Sequence, residues 1–156
     1  MTDKKLLERA RNIYEKIRLT LDNMGWSYQE HEDNLVITLG VTGEDIPMGL
    51  VLAVDAERQL IRFLSRLNVE FNADTAPYGN IACCYFTYKL ADGSFDYDCS
   101  NNTVTFRITA SFLDSLISEE LINYLISTAC KTIDDFNHHF EAIANGDMTV
   151  SDIFNI

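Results

Sequence analysis

The adjacent histidines His138 and His139 are the first residues whose type suggests metal chemistry, because neutral imidazole is a common metal ligand. A helix is expected here, and neighbouring helical positions point about 100° apart, so one ion does not easily take both rings. No histidine or cysteine stands four residues away to complete a pair on one face. Asp135 and His139 have i, i+4 spacing, which favours a surface pair over a catalytic dyad. We therefore expect no metal site and no cofactor.

Asp92, Asp96 and Asp98 resemble the start of a calcium-binding loop. That loop needs the order Asp-x-Asp-x-Asp-Gly and a glutamate at its last position, and neither is present. Strand alternation instead places Asp96 and Asp98 on the solvent face of a hairpin, with Arg107 on the same face of the next strand. We expect a cross-strand ion pair there, worth about 0–1 kcal/mol.

Cys83 and Cys84 are the remaining candidates for chemistry, as a redox pair. Neighbouring side chains on a helix diverge, so a disulfide between them would be strained. Together with Cys99 and Cys130 they show no Cys-x-x-Cys spacing. The chain opens with a charged helical segment and shows no secretory signal, so we expect reduced, buried thiols in a cytoplasmic protein.

Motifs that define common enzyme classes are missing from this sequence: there is no glycine-rich phosphate loop, no Gly-x-Ser-x-Gly elbow and no His-Glu-x-x-His. No apolar run approaches the roughly 20 residues of a membrane helix, so no membrane partner is expected. Residues 1–156 have the length of one domain. We interpret the chain as non-enzymatic.

The net charge of −12 is unevenly distributed. The first 24 residues carry six basic and four acidic side chains, whereas the remainder carries six basic and twenty acidic ones. An acidic body repels phosphate backbones, so nucleic acid is excluded as a partner. The first helix is the only basic patch that the sequence predicts.

Hydrophobic periodicity predicts an α+β fold, with an antiparallel sheet of about five strands and three helices in the order α-βββ-α-ββ-α. Repeats of three and four residues predict helices over about 3–24, 74–90 and 119–145. Strands are predicted at 26–31, 35–41, 48–54 and 60–64, followed by a hairpin over 94–110.

Two segments carry more apolar surface than a small domain easily hides. The strand over 48–54 is apolar on both faces, and the second helix is apolar nearly all round. Either the chain itself or a second copy covers them, and the second reading predicts a homodimer. The residues expected at a partner or dimer interface are Val51, Ala53, Tyr78, Ile81, Tyr85 and Tyr88.

Four short segments together give the chain a family resemblance: 21–26 at the end of the first helix, Val54-Asp55, 93–98 opening the hairpin and 104–107 closing it. In their order and spacing the chain resembles the YbjN family of sensory transduction regulators, which share the type III secretion chaperone-like fold. The resemblance implies a non-enzymatic protein-interaction domain, often dimeric, and implies no catalytic residues.

Three functions remain open from the sequence. The first is a chaperone-like module or regulator that binds a partner polypeptide. The second is a small-molecule-binding or enzymatic domain, with a pocket lined by the aromatic second helix together with Cys83 and Cys84. The third is a partner that neutralises a basic protein with its acidic body.

Overall fold

The computed structural model describes residues 3–44 and 46–156. In chain order the elements are α1 (Lys4–Asn23), β1 (Gln29–His31), β2 (Val36–Val41), β3 (Met48–Asp55), β4 (Leu60–Arg66), α2 (Ala76–Lys89), β5 (Ser94–Asp98), β6 (Thr103–Ser111), α3 (Glu119–Ala144) and α4 (Val150–Phe154), with a 3-10 turn (Glu32–Asn34) between β1 and β2. Across the described residues, no helix combines the length and the apolar character that crossing a bilayer requires.

All strand pairs are antiparallel, and the sheet order is β1-β2-β3-β4-β6-β5. The expected α+β fold is confirmed. The sheet has six strands where about five were expected; its edge strand β1 is three residues long and lies within the strand predicted over 26–31. The short α4 packs against α2.

Helix ends follow local capping chemistry. The Asp3 carboxylate accepts the backbone N–H of Lys5 at the start of α1, and the Ser118 hydroxyl accepts that of Leu121 at the start of α3. Gly25, at φ +72°, takes the left-handed conformation just after α1.

One face of the sheet holds the core. Burial alternates along β3, β4 and β6, so side chains such as Leu52, Phe63 and Phe106 are buried while their neighbours point the other way. The helices α1 and α3 cover this face, and α2 packs against β5 and α3. Every long helix therefore lies on the same side of the sheet.

The polar residue Thr87 has a structural role within the apolar helix α2. Its hydroxyl accepts the backbone N–H of Phe95 at 2.9 Å and lies 3.4 Å from the carbonyl oxygen of the same residue. Because β5 is an edge strand, these contacts satisfy backbone groups that would otherwise be open to another chain. The side chain thus closes part of this edge of the sheet.

Candidate protein-binding surface

The six residues expected at an interface lie on two separate surfaces. One group is on β3 and points away from the helices. The other is on α2, among the helices, where Tyr88 is exposed and Tyr78, Ile81 and Tyr85 are only partly exposed. The structure therefore does not bring together Val51 and Ala53 with Tyr78, Ile81, Tyr85 and Tyr88.

The sheet face that points away from the helices is called here the open face. Val51 is 37% exposed and Ala53 is partly exposed, so the chain itself covers β3 on one side only. The central residues of the open face are Val36, Thr38, Gly40, Gly49, Val51, Ala53, Arg62, Leu64, Arg66, Thr105, Arg107 and Thr109.

Three arginines surround Leu64 on the open face. Arg62 and Arg66 are two positions before and after it on β4, and Arg107 is its directly opposed partner on β6. These are three of only six basic residues that follow residue 24 in the chain. The prediction that α1 is the only basic patch is therefore wrong, because strand pairing gathers arginines that are far apart in sequence. The alternation Arg62-Phe63-Leu64-Ser65-Arg66 was the available signal.

Two of these arginines have acidic neighbours. Arg107 donates from Nε to Asp96 at 2.7 Å and from Nη2 at 3.3 Å, which confirms the expected cross-strand pair. The hydrogen bond and the charge of Asp96 raise the pKa of the Arg107 guanidinium. Arg66 and Glu70 are 3.6 Å apart with both side chains well exposed, so this pair is weak. Among the described residues Arg62 has no ion-pair partner.

A depression of about 720 Å³ lies at one end of the open face. Its floor includes Gly40 and Gly49, which are directly paired across β2 and β3, and its rim includes Tyr28, Val51 and Arg66. A Cβ atom built on either glycine meets nothing within 4 Å. Glycine within a strand costs roughly 0.5–1 kcal/mol relative to alanine, so the fold gains nothing from these two glycines.

The second exposed surface is the outer side of α2. Tyr88 is 84% exposed, whereas Tyr85 is only partly exposed because α4 contacts it. The Tyr85 hydroxyl donates to the carbonyl oxygen of Phe154 at 3.1 Å, and the two rings meet edge to face at 5.0 Å. Phe154 itself is 51% exposed. This side therefore presents aromatic surface that the chain does not cover.

The inner side of α2 is part of the core. The ring of Phe86 lies 4.9 Å from that of Phe136 and 5.2 Å from that of Phe140, and Phe95 lies 4.9 Å from Phe140. These are ordinary contact distances for packed aromatic rings. The aromatic residues on this side thus fill space between α2, β5 and α3. A small-molecule pocket at α2 stays a prediction.

The cysteines differ in their exposure. Cys83 is buried and Cys130 is partly buried, but Cys84 and Cys99 are exposed, so the expectation of four buried thiols is wrong for these two. Cys84 is one position further round α2 than Cys83 and points out of the core, and Cys99 lies in the turn after β5. All four are free thiols.

Thiol labelling should separate these sites. Burial raises the pKa of Cys83 to about 12, so roughly one part in ten thousand is thiolate at pH 8. We expect Cys84 and Cys99 to react readily with a thiol reagent in the native protein and Cys83 to react only after denaturation. Mass spectrometry of labelled peptides checks this, and equal native rates for Cys83 and Cys84 would contradict it.

Asp135, His138 and His139 on α3 have contacts other than the expected pair of Asp135 with His139. Asp135 accepts from the Lys131 ammonium at 2.7 and 3.0 Å, so the expected pair of Asp135 with His139 is wrong. The rings of His138 and His139 are 3.8 Å apart. Burial is the main cause that lowers the pKa of His139. No three metal-ligating side chains are grouped as a metal site requires within 3–44 and 46–156.

The fold belongs to the type III secretion chaperone-like class, as comparison with solved structures shows. One similar structure is YbjN from E. coli, described as a proposed transcription regulator, with a TM-score of 0.58 and 14% identity over 81% of this chain and 92% of that chain. A chain of the ExsC–ExsE complex gives a TM-score of 0.55 and 11% identity over 83% of this chain and 94% of that chain. No family model and no curated protein sequence matches the chain.

Proposed function

We propose that this chain is a non-enzymatic module that binds a partner polypeptide on the open face and pairs with a second copy through the outer side of α2. The open face carries the first part of the proposal. All three long helices are on the other side of the sheet, so an apolar centre that includes Val51 and Leu64 is left open to a partner. Apolar surface ringed by polar side chains is typical of protein interaction sites.

The structural neighbours support this assignment of class. One of them was solved as a complex of two proteins and the other is described as a regulator. The four free thiols support a reducing compartment, for which we propose the cytoplasm. The acidic body favours polypeptides over nucleic acids as partners.

Site-specific crosslinking in cells tests the open face. A photoreactive phenylalanine derivative is placed at Val51 or Leu64, with Tyr124 on α3 as an exposed control position. We expect the same polypeptide adduct from the two open-face positions and not from the control. The purified partner should then bind the Val51→Asp variant about tenfold more weakly or worse. Adducts that form equally at all three positions would contradict the proposal.

The proposed dimer interface on the outer side of α2 is tested by measuring the molar mass of the protein in solution. We expect the double variant Ile81→Asp, Tyr88→Asp to run with the 17.7 kDa mass of one chain, and the unchanged protein with twice that mass. Charges placed within an apolar interface oppose its burial. Light scattering after size exclusion measures both masses, and Tyr124→Asp is the matched control on α3. A dimeric double variant, or a monomeric parent protein, would refute this part.

A further inference from the structure

We infer that the depression at the end of the open face receives an aromatic side chain of a partner polypeptide, with acidic residues beside that aromatic residue in the partner's sequence. The inference rests on the proposed function, because it takes the open face as the surface that a polypeptide contacts. It adds the chemistry of that polypeptide and the place of its anchor residue.

The two glycines in the floor of the depression are not required by the fold. Gly40 and Gly49 have no atom within 4 Å of a built Cβ, and neither has the positive φ that would require glycine. Directly opposed positions in a sheet have their side chains in contact, so this pair leaves a gap one side chain deep. Glycine in a strand marks places where another group approaches the backbone closely.

The shape of the depression fits an extended segment with one ring. Aromatic side chains cover strand glycines by lying flat over them, and within the described part of the chain no ring atom comes within 4 Å of a Cβ built at either position. The depression continues on one side toward Trp26 and Thr42, with Ser27 and Gly40 common to both parts. On the other side it passes Arg66 and reaches Asn68. A chain of several residues can therefore cross β2, β3 and β4 here.

The charge of the rim selects the flanking residues of the partner. Arg66 lines both the depression and its continuation, and its side chain is 61% exposed. A guanidinium at this place attracts a carboxylate and also stacks on an aromatic face. On the same face, Arg107 is two positions from Thr105, which opposes Arg66, and Arg62 is four positions before Arg66 on β4. Glu70 lines the same continuation but is 3.6 Å from Arg66 with both side chains exposed, so the pair is weak and the Arg66 guanidinium stays available to a carboxylate of an acidic segment.

Capped peptides with one tryptophan between two glutamates on each side serve as the probe. Amide chemical shifts of the full chain are followed during titration, with matched peptides in which lysines replace the glutamates or glycine replaces the tryptophan. We expect shifts centred on Gly40, Gly49 and Arg66 and binding about tenfold weaker for both control peptides.

The decisive variant is the double substitution Gly40→Val, Gly49→Val, which places side chains in the depression at two positions where a built Cβ meets nothing within 4 Å. We expect its Tm to equal or exceed that of the parent, while affinity for the probe falls about tenfold or more. Arg66→Ala should also weaken the probe, whereas Arg58→Ala, in the turn before β4, should not. A valine variant that binds as well as the parent overturns the inference, as does a lysine peptide that binds equally.

The outcome also separates this inference from the proposed function. If the valine variant loses the probe but its Val51 crosslink to the cellular partner persists, the partner does not use the depression and the inference fails alone. If the valine variant loses the Val51 crosslink together with probe binding, the inference and the proposed function are both supported. Shifts that appear in the absence of peptide as concentration rises would identify a second copy as the occupant and overturn the inference.

Discussion

Replacement of Phe86 by alanine is expected to lower the free energy of unfolding by about 3–5 kcal/mol. Phe86 is fully buried, and its ring contacts those of Phe136 and Phe140 in the space between α2 and α3. Truncation removes these contacts and leaves a cavity that three surrounding elements hold open. Urea unfolding followed by circular dichroism measures the change, and Tm should fall by roughly 10 °C.

Tyr88→Ala is the matched control for that substitution. It removes an aromatic ring from the same helix two residues later, but the Tyr88 side chain is 84% exposed. Its effect on the free energy of unfolding, measured at concentrations where the protein is monomeric, should stay within about 0.5 kcal/mol. Equal effects of the two substitutions would mean that α2 is oriented differently from the arrangement described here.

Most of the fold was predictable because period and length separate helices from strands in this chain. The sequence alternates strictly over 94–98 and 103–111, which predicts that one face of each strand is buried. Phe95, Val104 and Phe106 are indeed buried. The edge strand β1 was predicted over 26–31, but only Gln29–His31 pair with β2. All three side chains are exposed, so hydrophobic alternation could not define its ends.

The candidate site was only half predictable. Val51 and Tyr88 were singled out because their segments are apolar on both sides, and both are exposed in the structure. The sequence does not show that one lies on the open face and the other among the helices, because that separation depends on how the chain returns across the sheet. The arginine cluster has the same origin, since Arg107 meets Leu64 only through the pairing of β4 with β6.

Gly40, Gly49 and Gly93 show why glycine identity alone is ambiguous. A glycine in a sequence can supply backbone freedom, allow close packing, or leave space for a partner. Gly93 has φ +81° and a built Cβ would lie 2.5 Å from Cζ of Phe106, whereas the strand pair Gly40 and Gly49 shows neither feature. Only the three-dimensional surroundings distinguish a glycine that the fold requires from one that a partner would use.

Gly93→Ala is expected to lower the free energy of unfolding by about 3 kcal/mol. A left-handed backbone costs a non-glycine residue roughly 1–2 kcal/mol, and overpacking adds roughly 1–3 kcal/mol. The Phe106 ring cannot move aside cheaply, because it is fully buried and packs on Phe95 at 5.3 Å. The carbonyl oxygen of Arg107, 3.2 Å from the built Cβ, closes the space on the strand side.

Gly25→Ala separates the two contributions. Gly25 has a similar φ of +72°, but a built Cβ there meets nothing within 4 Å, so only the backbone cost of about 1–2 kcal/mol remains. We therefore expect urea unfolding to rank the parent first, Gly25→Ala next and Gly93→Ala last. If the two alanine variants are equally stable, the close contact of Gly93 with Phe106 carries no energy. The hairpin would then accept a side chain at its entrance by shifting away from the core, and β5 would be held less firmly than its pairing with β6 and its contacts with Thr87 imply.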